Sequence, residues 1–420
     1  MDDDGRIEAV TTWDGNGSED GWLALPGMPN GHSHVFQRAL AGYGEGRSGQ
    51  DTFWSWREAM YRLANGVSAE DLRVIARAGY TAMLAAGFTS VAEFHYLHRL
   101  PGTAPAETGD IIAQAAAESG IRLRLLPVYY ECGNFGKPAR PEQARFLHAT
   151  IEEFLQTLED LGRHAPGFAI HSLRAVRPES LEALVGGATA MLGETVPIHV
   201  HAAEQPAEVA DCRERYGCGP IALLGRNIEL GPRWNVIHAT HADAAERQAL
   251  INAGTTVVLC PLTEAYLGDG IFPATEFAAA GGRLALGSDS NVRLDAVEEL
   301  RLLEYGQRLS ERARARLANA DGLGAALWAR LAQGGAAPLG MEVGRLTPGH
   351  YADFVTVDPE SPDLLGSDGP AAALDALVTA ADRSAISAVY VGGRRLSTRL
   401  DRDLAARYGT RTRALMGSGA

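Results

Sequence analysis

His32 and His34 stand two apart in Gly31-His32-Ser33-His34. On an extended segment, residues i and i+2 project to one side, so both imidazoles can reach one ion. Imidazole suits Zn²⁺ and related first-row ions. A lone His-x-His is a weak signal, but three further stretches share its character. They are His199-Val200-His201-Ala202-Ala203-Glu204, Trp234–His238 followed by Ala239-Thr240-His241, and Leu286-Gly287-Ser288-Asp289. Each is an apolar run that ends in a histidine or a carboxylate, and four in order argue against coincidence. His32, His34, His201 and Asp289 are therefore expected to hold one Zn²⁺, or another divalent first-row metal, with a position left for water as a catalytic metal requires. His199 is read as structural and His241, past its run, as a loop residue. His95, His98, His148, His164 and His350 are read as ordinary helix, loop or core residues.

A metal of this kind lowers the pKa of bound water towards neutrality. Glu204, three residues after His201, is placed to take a proton from that water and pass it on. Asp289 can ligate with one oxygen and accept a proton with the other, and His238 can polarise the electrophile. Glu204, His238 and Asp289 together suit hydrolytic deamination at an amidine, imine or aromatic C=N carbon. No Gly-x-Gly-x-x-Gly follows a strand, so dinucleotide-dependent hydride transfer has no motif. A two-metal centre bridged by a carbamylated lysine would need a lysine at the fourth strand end. That end reads Ala169-Ile170-His171-Ser172, and the single lysine, Lys137, lies upstream in a Gly/Pro-rich loop. One metal is expected.

The elements that carry these groups read as alternating short apolar runs and longer amphipathic stretches. The runs lie near Trp22–Pro26, Phe88–Phe94, Ile121–Tyr130, Phe168–His171, Val196–His201, Trp234–His238, Thr255–Cys260 and Arg283–Gly287. Helical patterns fall over Pro141–Leu161, Arg177–Leu192, Asp243–Ala253 and Leu294–Leu317. Eight strands alternating with helices is a parallel α/β pattern. Polar groups at so many run ends favour a closed (β/α)₈ TIM-like barrel, whose strand ends converge on one face, over an open sheet that would spread them along a line. Strand patterns in Gly344–Asp358 and Ile386–Leu396, the latter with Gly392-Gly393 as a hairpin turn, predict a small β-sandwich module built from both chain ends, with Arg6–Thr12 pairing into it. Ser361–Pro370 reads as a surface loop. The expected division is 1–25 for the N-terminal part of that module, 26–335 for the barrel, and 336–420 for the remainder and tail.

Composition bounds the rest. The 420 residues carry a net charge of −14, which argues against nucleic acid or an anionic membrane as a partner. It also means that an acidic substrate must be held by local arginines. No long uncharged apolar run predicts a membrane span. The acidic start Met1-Asp2-Asp3-Asp4 does not read as a secretory leader. The four cysteines, Cys132, Cys212, Cys218 and Cys260, form no Cys-x-x-Cys pair and read as reduced thiols of a cytoplasmic protein, Cys260 as a buried small hydrophobe.

The stretch Pro26-Gly27-Met28-Pro29-Asn30-Gly31-His32-Ser33-His34-Val35-Phe36-Gln37-Arg38 resembles the amidohydrolase superfamily and, within it, the formimidoylglutamate deiminases. So do Glu93-Phe94-His95-Tyr96-Leu97-His98, His171-Ser172-Leu173-Arg174, Cys260-Pro261-Leu262-Thr263-Glu264 and Leu267-Gly268-Asp269-Gly270-Ile271-Phe272-Pro273. The likeness runs from about Pro26 to Leu309 and resumes in the C-terminal strands. It implies one zinc and conversion of N-formimino-L-glutamate to N-formyl-L-glutamate and ammonia in histidine degradation. It further implies substrate contacts from Gln37, Tyr96, His171 and Arg174, and a homodimer. The Arg174 guanidinium offers a carboxylate a bidentate fork. Two positions depart from the pattern, Asn291 and Tyr266, and both are expected at the active-site face, where they bear on which acyl tail is accepted. The alternative is a related aminohydrolase acting on guanine or another C=N substrate. A barrel that only binds a ligand would have no use for Glu204, His238 and Asp289.

Overall fold

The computed structural model describes residues 1–11, 23–45, 53–164, 167–358 and 360–417. Among the described residues, twelve strands form two sheets. β1 (Leu23–Pro26) runs into β2 (Met28–Ser33), and β3 (Phe88–His95), β4 (Arg122–Tyr129), β5 (Phe168–Ser172), β6 (Ile198–Ala202), β7 (Trp234–His238), β8 (Thr256–Leu259) and β9 (Arg283–Leu286) follow. β10 (Phe354–Val357), β11 (Ile386–Val391) and β12 (Arg394–Arg395) complete the set. β2 to β9 pair in sequence order, every pair parallel. Backbone contacts bring the sheet round on itself beyond β9: a parallel bridge joins Ser33 to Asp289, and His34 N donates to Asp289 O at 2.9 Å. The polar ends of the strands therefore do share one face, as a barrel demands.

Most of the apolar core lies between the strands and the surrounding helices, as with Phe88, Val91, Leu125, Val200, Val236 and Leu286. A separate small cluster, Ile237, Val258, Cys260 and Ala285, is fully buried. It lies beneath the catalytic face, where only glycine fits: a Cβ on Gly287 would lie 2.8 Å from Cys260 Sγ and 2.9 Å from His32 Cβ. The outer helices start where the sequence provides caps. Ser68 and Asp71 cap Ala69–Ala85 reciprocally, and Asp243 with Glu246 does the same for Ala244–Ala253.

Three expectations are corrected. The first counted run does not enter the barrel: Leu23–Pro26 pairs with β10, while the first barrel strand is the metal motif itself, Met28–Ser33 (Trp22 lies outside the described residues). Asn30, His32 and Ser33 make that strand too polar to read as an apolar run, although all six of its residues are buried. The predicted sandwich is a single four-stranded antiparallel sheet, in the order β1-β10-β11-β12. The barrel covers its apolar side: Ile386 packs at Gly87, and Arg122 at the start of β4 grips Asp353 through both carboxylate oxygens at 2.7 and 2.9 Å. A second layer is therefore unnecessary. Of Arg6–Thr12, Arg6 forms one bridge to Tyr351 and no strand follows (Thr12 lies outside the described residues). The Gly392-Gly393 turn has φ of +55° and +70°, the left-handed pair that a tight hairpin favours.

Beneath β4, His98 Nε2 donates to Val128 O at 2.8 Å, and its ring lies 4.4 Å from that of His148. His148 is buried with neither ring nitrogen hydrogen-bonded. Burial, with His98 and Arg99 nearby, holds its pKa down to about 2. The unfolded chain would take up a proton near pH 6.5, whereas the folded protein refuses it. Stability associated with this ring is thus complete above about pH 6.5 and is lost as pH falls towards the folded value. His148→Phe is expected to flatten the decline of the urea midpoint between pH 6.5 and 4.5. A slope equal to that of the parent protein would refute the assignment.

Candidate metal centre

His32, His34, His201 and Asp289 are brought together: one ligand atom from each lies within 4.8 Å of all the others. His32 Nε2 is 3.4 Å and His34 Nε2 3.3 Å from Asp289 Oδ1, and His201 Nε2 is 3.0 Å from His32 Nε2. All four residues are buried. The far nitrogens of two ligands are committed, His34 Nδ1–H to Phe94 O at 3.0 Å and His201 Nδ1–H to His171 O at 2.9 Å. Those bonds fix the tautomer with Nε2 lone pairs turned inward, the arrangement that metal-binding histidines use. Burial first, then the neighbouring imidazoles, pushes His32 and His201 well below their ordinary pKa, and burial takes His34 down to about 3. Neutral imidazoles beside a carboxylate are the donor set of a divalent first-row cation, so the residues fit a metal.

The local chain folds to allow this. β2 delivers His32 and His34 from one face, and fully buried Glu93 holds the motif by accepting from Ser33 Oγ at 2.7 Å and Val35 N at 2.8 Å. Behind Asp289, a polar seam joins β2 to the turn after β9. Asn30 Nδ2 donates to Ser288 Oγ, and Ser288 Oγ to Asn291 Oδ1, each at 2.6 Å. Asn291 Nδ2 donates to Ser33 Oγ at 3.1 Å and to Asp289 O at 2.8 Å. Asp289, Ala203 and His238 adopt left-handed backbone at φ of +46°, +54° and +68°, strain of the kind that concentrates at functional sites.

His238 stands behind the ligands. Its Nδ1 faces Glu264 Oε1 at 3.2 Å, and its Nε2 lies 3.7 Å from Asp289 Oδ2 and 4.0 Å from Glu204 Oε1. Burial works against a charge there, but the hydrogen bond to Glu264 and the charges of Glu204 and Asp289 outweigh it, raising His238 to about 10. Burial lifts Asp289 to about 7, against the pull of His238. Glu204 Oε2 accepts from Arg174 Nη2 at 2.6 Å. Burial opposes ionisation of Glu204, yet Arg174 and His238 prevail and hold its pKa below the usual value.

A cavity of about 210 Å³ opens over the cluster, with His34, His201, Glu204 and Asp289 among its lining residues. Gln37, Tyr96, His171 and Arg174 also line it, and Gln37 Nε2 donates to Tyr96 OH at 2.7 Å. Arg174 does not stand free: besides Glu204 it faces Glu208, with 3.9 Å between Nε and Oε1. His199 lies one layer down and donates through Nε2 to Pro338 O at 2.9 Å, away from the ligands. His241 turns to Asp269 O at 2.7 Å. The two departures are relocated. Asn291 is fully buried in the seam, and Tyr266 packs at Gly44. Neither is among the residues that line the cavity.

Sequence reasoning missed Glu264, which orients His238, and Arg57 and Tyr130, which line the cavity. Glu264 was within reach as a carboxylate following the eighth-strand run. Arg57 sits in an ordinary amphipathic helix, Phe53–Gly66, and nothing in its spacing marks it.

The profile of the amidohydrolase family matches residues 23–396. A formimidoylglutamate deiminase of Pseudomonas aeruginosa is 45% identical over 388 residues, covering 89% of this chain and 84% of that protein. An 8-oxoguanine deaminase of the same species is 30% identical, over 88% of this chain and 81% of that one. The crystal structure of an amidohydrolase from Brucella melitensis superposes with a TM-score of 0.90 at 38% identity, covering 98% of this chain and 94% of that chain. On the strength of a match that spans both sheets and every proposed ligand, the chain belongs to the amidohydrolase family.

Proposed function

We propose that this protein uses one zinc ion to hydrolyse N-formimino-L-glutamate to N-formyl-L-glutamate and ammonia, in the cytoplasm and in service of histidine degradation. The carrying observation is that one cavity opens onto His34, His201 and Asp289 of the His₃Asp group, onto the buried carboxylate of Glu204 and onto the guanidinium of Arg174. The 45% identity to a formimidoylglutamate deiminase supports the substrate. Zinc held by His32, His34, His201 and Asp289 supplies Lewis acidity and makes water a nucleophile near neutral pH.

The chain's own groups do the rest. Glu204, ionised and aimed at the cluster, takes a proton from the attacking water and delivers it to the leaving nitrogen, which departs as ammonia. His238 directs its Nε2–H towards the reacting centre and stabilises negative charge as it develops. Asp289 takes the second proton, from the hydroxyl that the water has become, on the oxygen that faces His238. It passes that proton to the same nitrogen, so that the =NH group gains the two protons it needs to leave as ammonia. Tyr96, Gln37 and His171 position the substrate, and Arg174 meets one of its carboxylates. The partner is therefore an acidic small molecule, and a homodimer is the expected assembly. Among the described residues, no helix is long and apolar enough to cross a membrane.

A heterocycle such as guanine is the second reading, favoured by the 30% identity to an 8-oxoguanine deaminase and by the engagement of Arg174 with Glu204. Ammonia release by the parent protein from each compound separates them. Arg174→Met then tests the carboxylate contact, although it also removes the partner of Glu204 and so slows either substrate. Loss of a charge-assisted contact of about 1.5–3 kcal/mol lowers kcat/KM for N-formimino-L-glutamate by at least about 10-fold. Ammonia release from a panel of formimino-amino acids and guanine reads the result. Unaltered turnover of N-formimino-L-glutamate by Arg174→Met would sink the dicarboxylate assignment.

A further inference from the structure

Glu204 sits on a turn, between Ala203 and Gln205, and both neighbours are tied to other loops. Ala203 O accepts from His241 N at 2.9 Å in the loop after β7. His241 Nε2 donates to Asp269 O at 2.7 Å in the loop after β8. Asp269 Oδ1 accepts from Gln205 Nε2, back in the loop after β6. The bonds close a ring through three loops, and Glu204 is the residue between its two ends. Asp269 is itself pinned, its N–H donating to Glu264 O at 2.9 Å, next to the carboxylate that orients His238. Gly270 lets the chain pass closely over His241: its φ is +123°, and a Cβ there would lie 3.3 Å from Thr240 Cγ2.

We propose that Gln205, His241 and Asp269 are positioning residues that form a clasp holding Glu204 in register with His238. The inference deepens the reading of Glu204 as the proton carrier and rests on it. Asp269 touches no proposed ligand and does not line the cavity, so its part is to fix geometry. Misplacement of a reacting group by about 1 Å costs on the order of 10²-fold in rate, which is the scale at stake. Burial, with Glu204 near, raises the Asp269 carboxyl, and its Oδ1 accepts from Gln205 Nε2. Asparagine presents the same acceptor to Gln205.

Asp269→Asn, Asp269→Leu and Gln205→Leu in the zinc-loaded enzyme test the clasp. Both leucine variants are expected to lose about 10–100-fold in kcat with KM within about twofold. They should keep the parent's zinc stoichiometry, and Asp269→Asn should retain near-parental kcat. Amide hydrogen exchange at residues 203–205 should speed up in the leucine variants, a readout that needs no substrate. Asp269→Asn as damaged as Asp269→Leu would make the residue an acid and overturn the clasp. Parental kcat with unaltered exchange in Gln205→Leu would overturn it too. If the parent itself released no ammonia from N-formimino-L-glutamate, the substrate reading would fail, while the exchange data would still judge the clasp.

Discussion

Glu204→Gln is expected to keep the metal and lose about 10²–10⁴-fold in kcat, the usual contribution of a positioned proton carrier. The substitution is close in shape and touches no ligand, and glutamine can still meet Arg174, which donates to Oε2 at 2.6 Å in the parent. What disappears is the ability to accept a proton. Arg174 and His238 keep Glu204 ionised in a buried setting that would otherwise favour the neutral acid, so the parent begins each cycle able to receive one. KM should move little, because the loss falls on a step of the reaction and not on binding. The measurement is steady-state ammonia release beside metal analysis of the same preparations. Equal rates from both proteins would mean that another group carries the proton, with Asp289 next in line by its 3.7 Å approach to His238.

Stripping the metal should abolish turnover altogether. A strong chelator is expected to take activity to background, and added Zn²⁺ to restore it; His201→Ala should bind little metal and show no such rescue. Three imidazoles and one carboxylate within 4.8 Å are nearly the whole donor set, so each carries a large share of the affinity. Because the unfolded chain lacks the site, bound zinc also stabilises the fold by RT ln(1 + [L]/Kd), about 4 kcal/mol at a thousandfold excess over Kd. The thermal midpoint should accordingly fall on chelation in the parent and not in His201→Ala. Elemental analysis checks the stoichiometry: two metals per chain would contradict the mononuclear reading, which rests on His171 standing at the end of β5 and Lys137 lying in the loop after β4.

The ligand set was readable from the chain because each ligand sits at a strand end, where a period of two tells which residues share a face and the barrel brings the ends together. His32 and His34 are the plain case. Periodicity carries no information about depth, however. His199 and His201 share a face equally well, and only the closed barrel puts one among the ligands and the other against Pro338. The same limit misplaced Asn291, two residues from a ligand yet turned into the seam below it. It also misassigned Leu23–Pro26, whose pairing partner lies more than 300 residues away.

Residue types and their order along this chain pointed to the barrel, to the four side chains that meet as a candidate metal group, and to the carboxylate proposed to move protons. Tertiary structure alone decided that Arg174 grips Glu204, that Glu264 orients His238, and that Asp269 ties three loops together. Those facts depend on side chains from separate loops meeting at distances of about 3 Å in a buried site. There, burial and neighbouring charge set protonation, and neither quantity is written in local sequence.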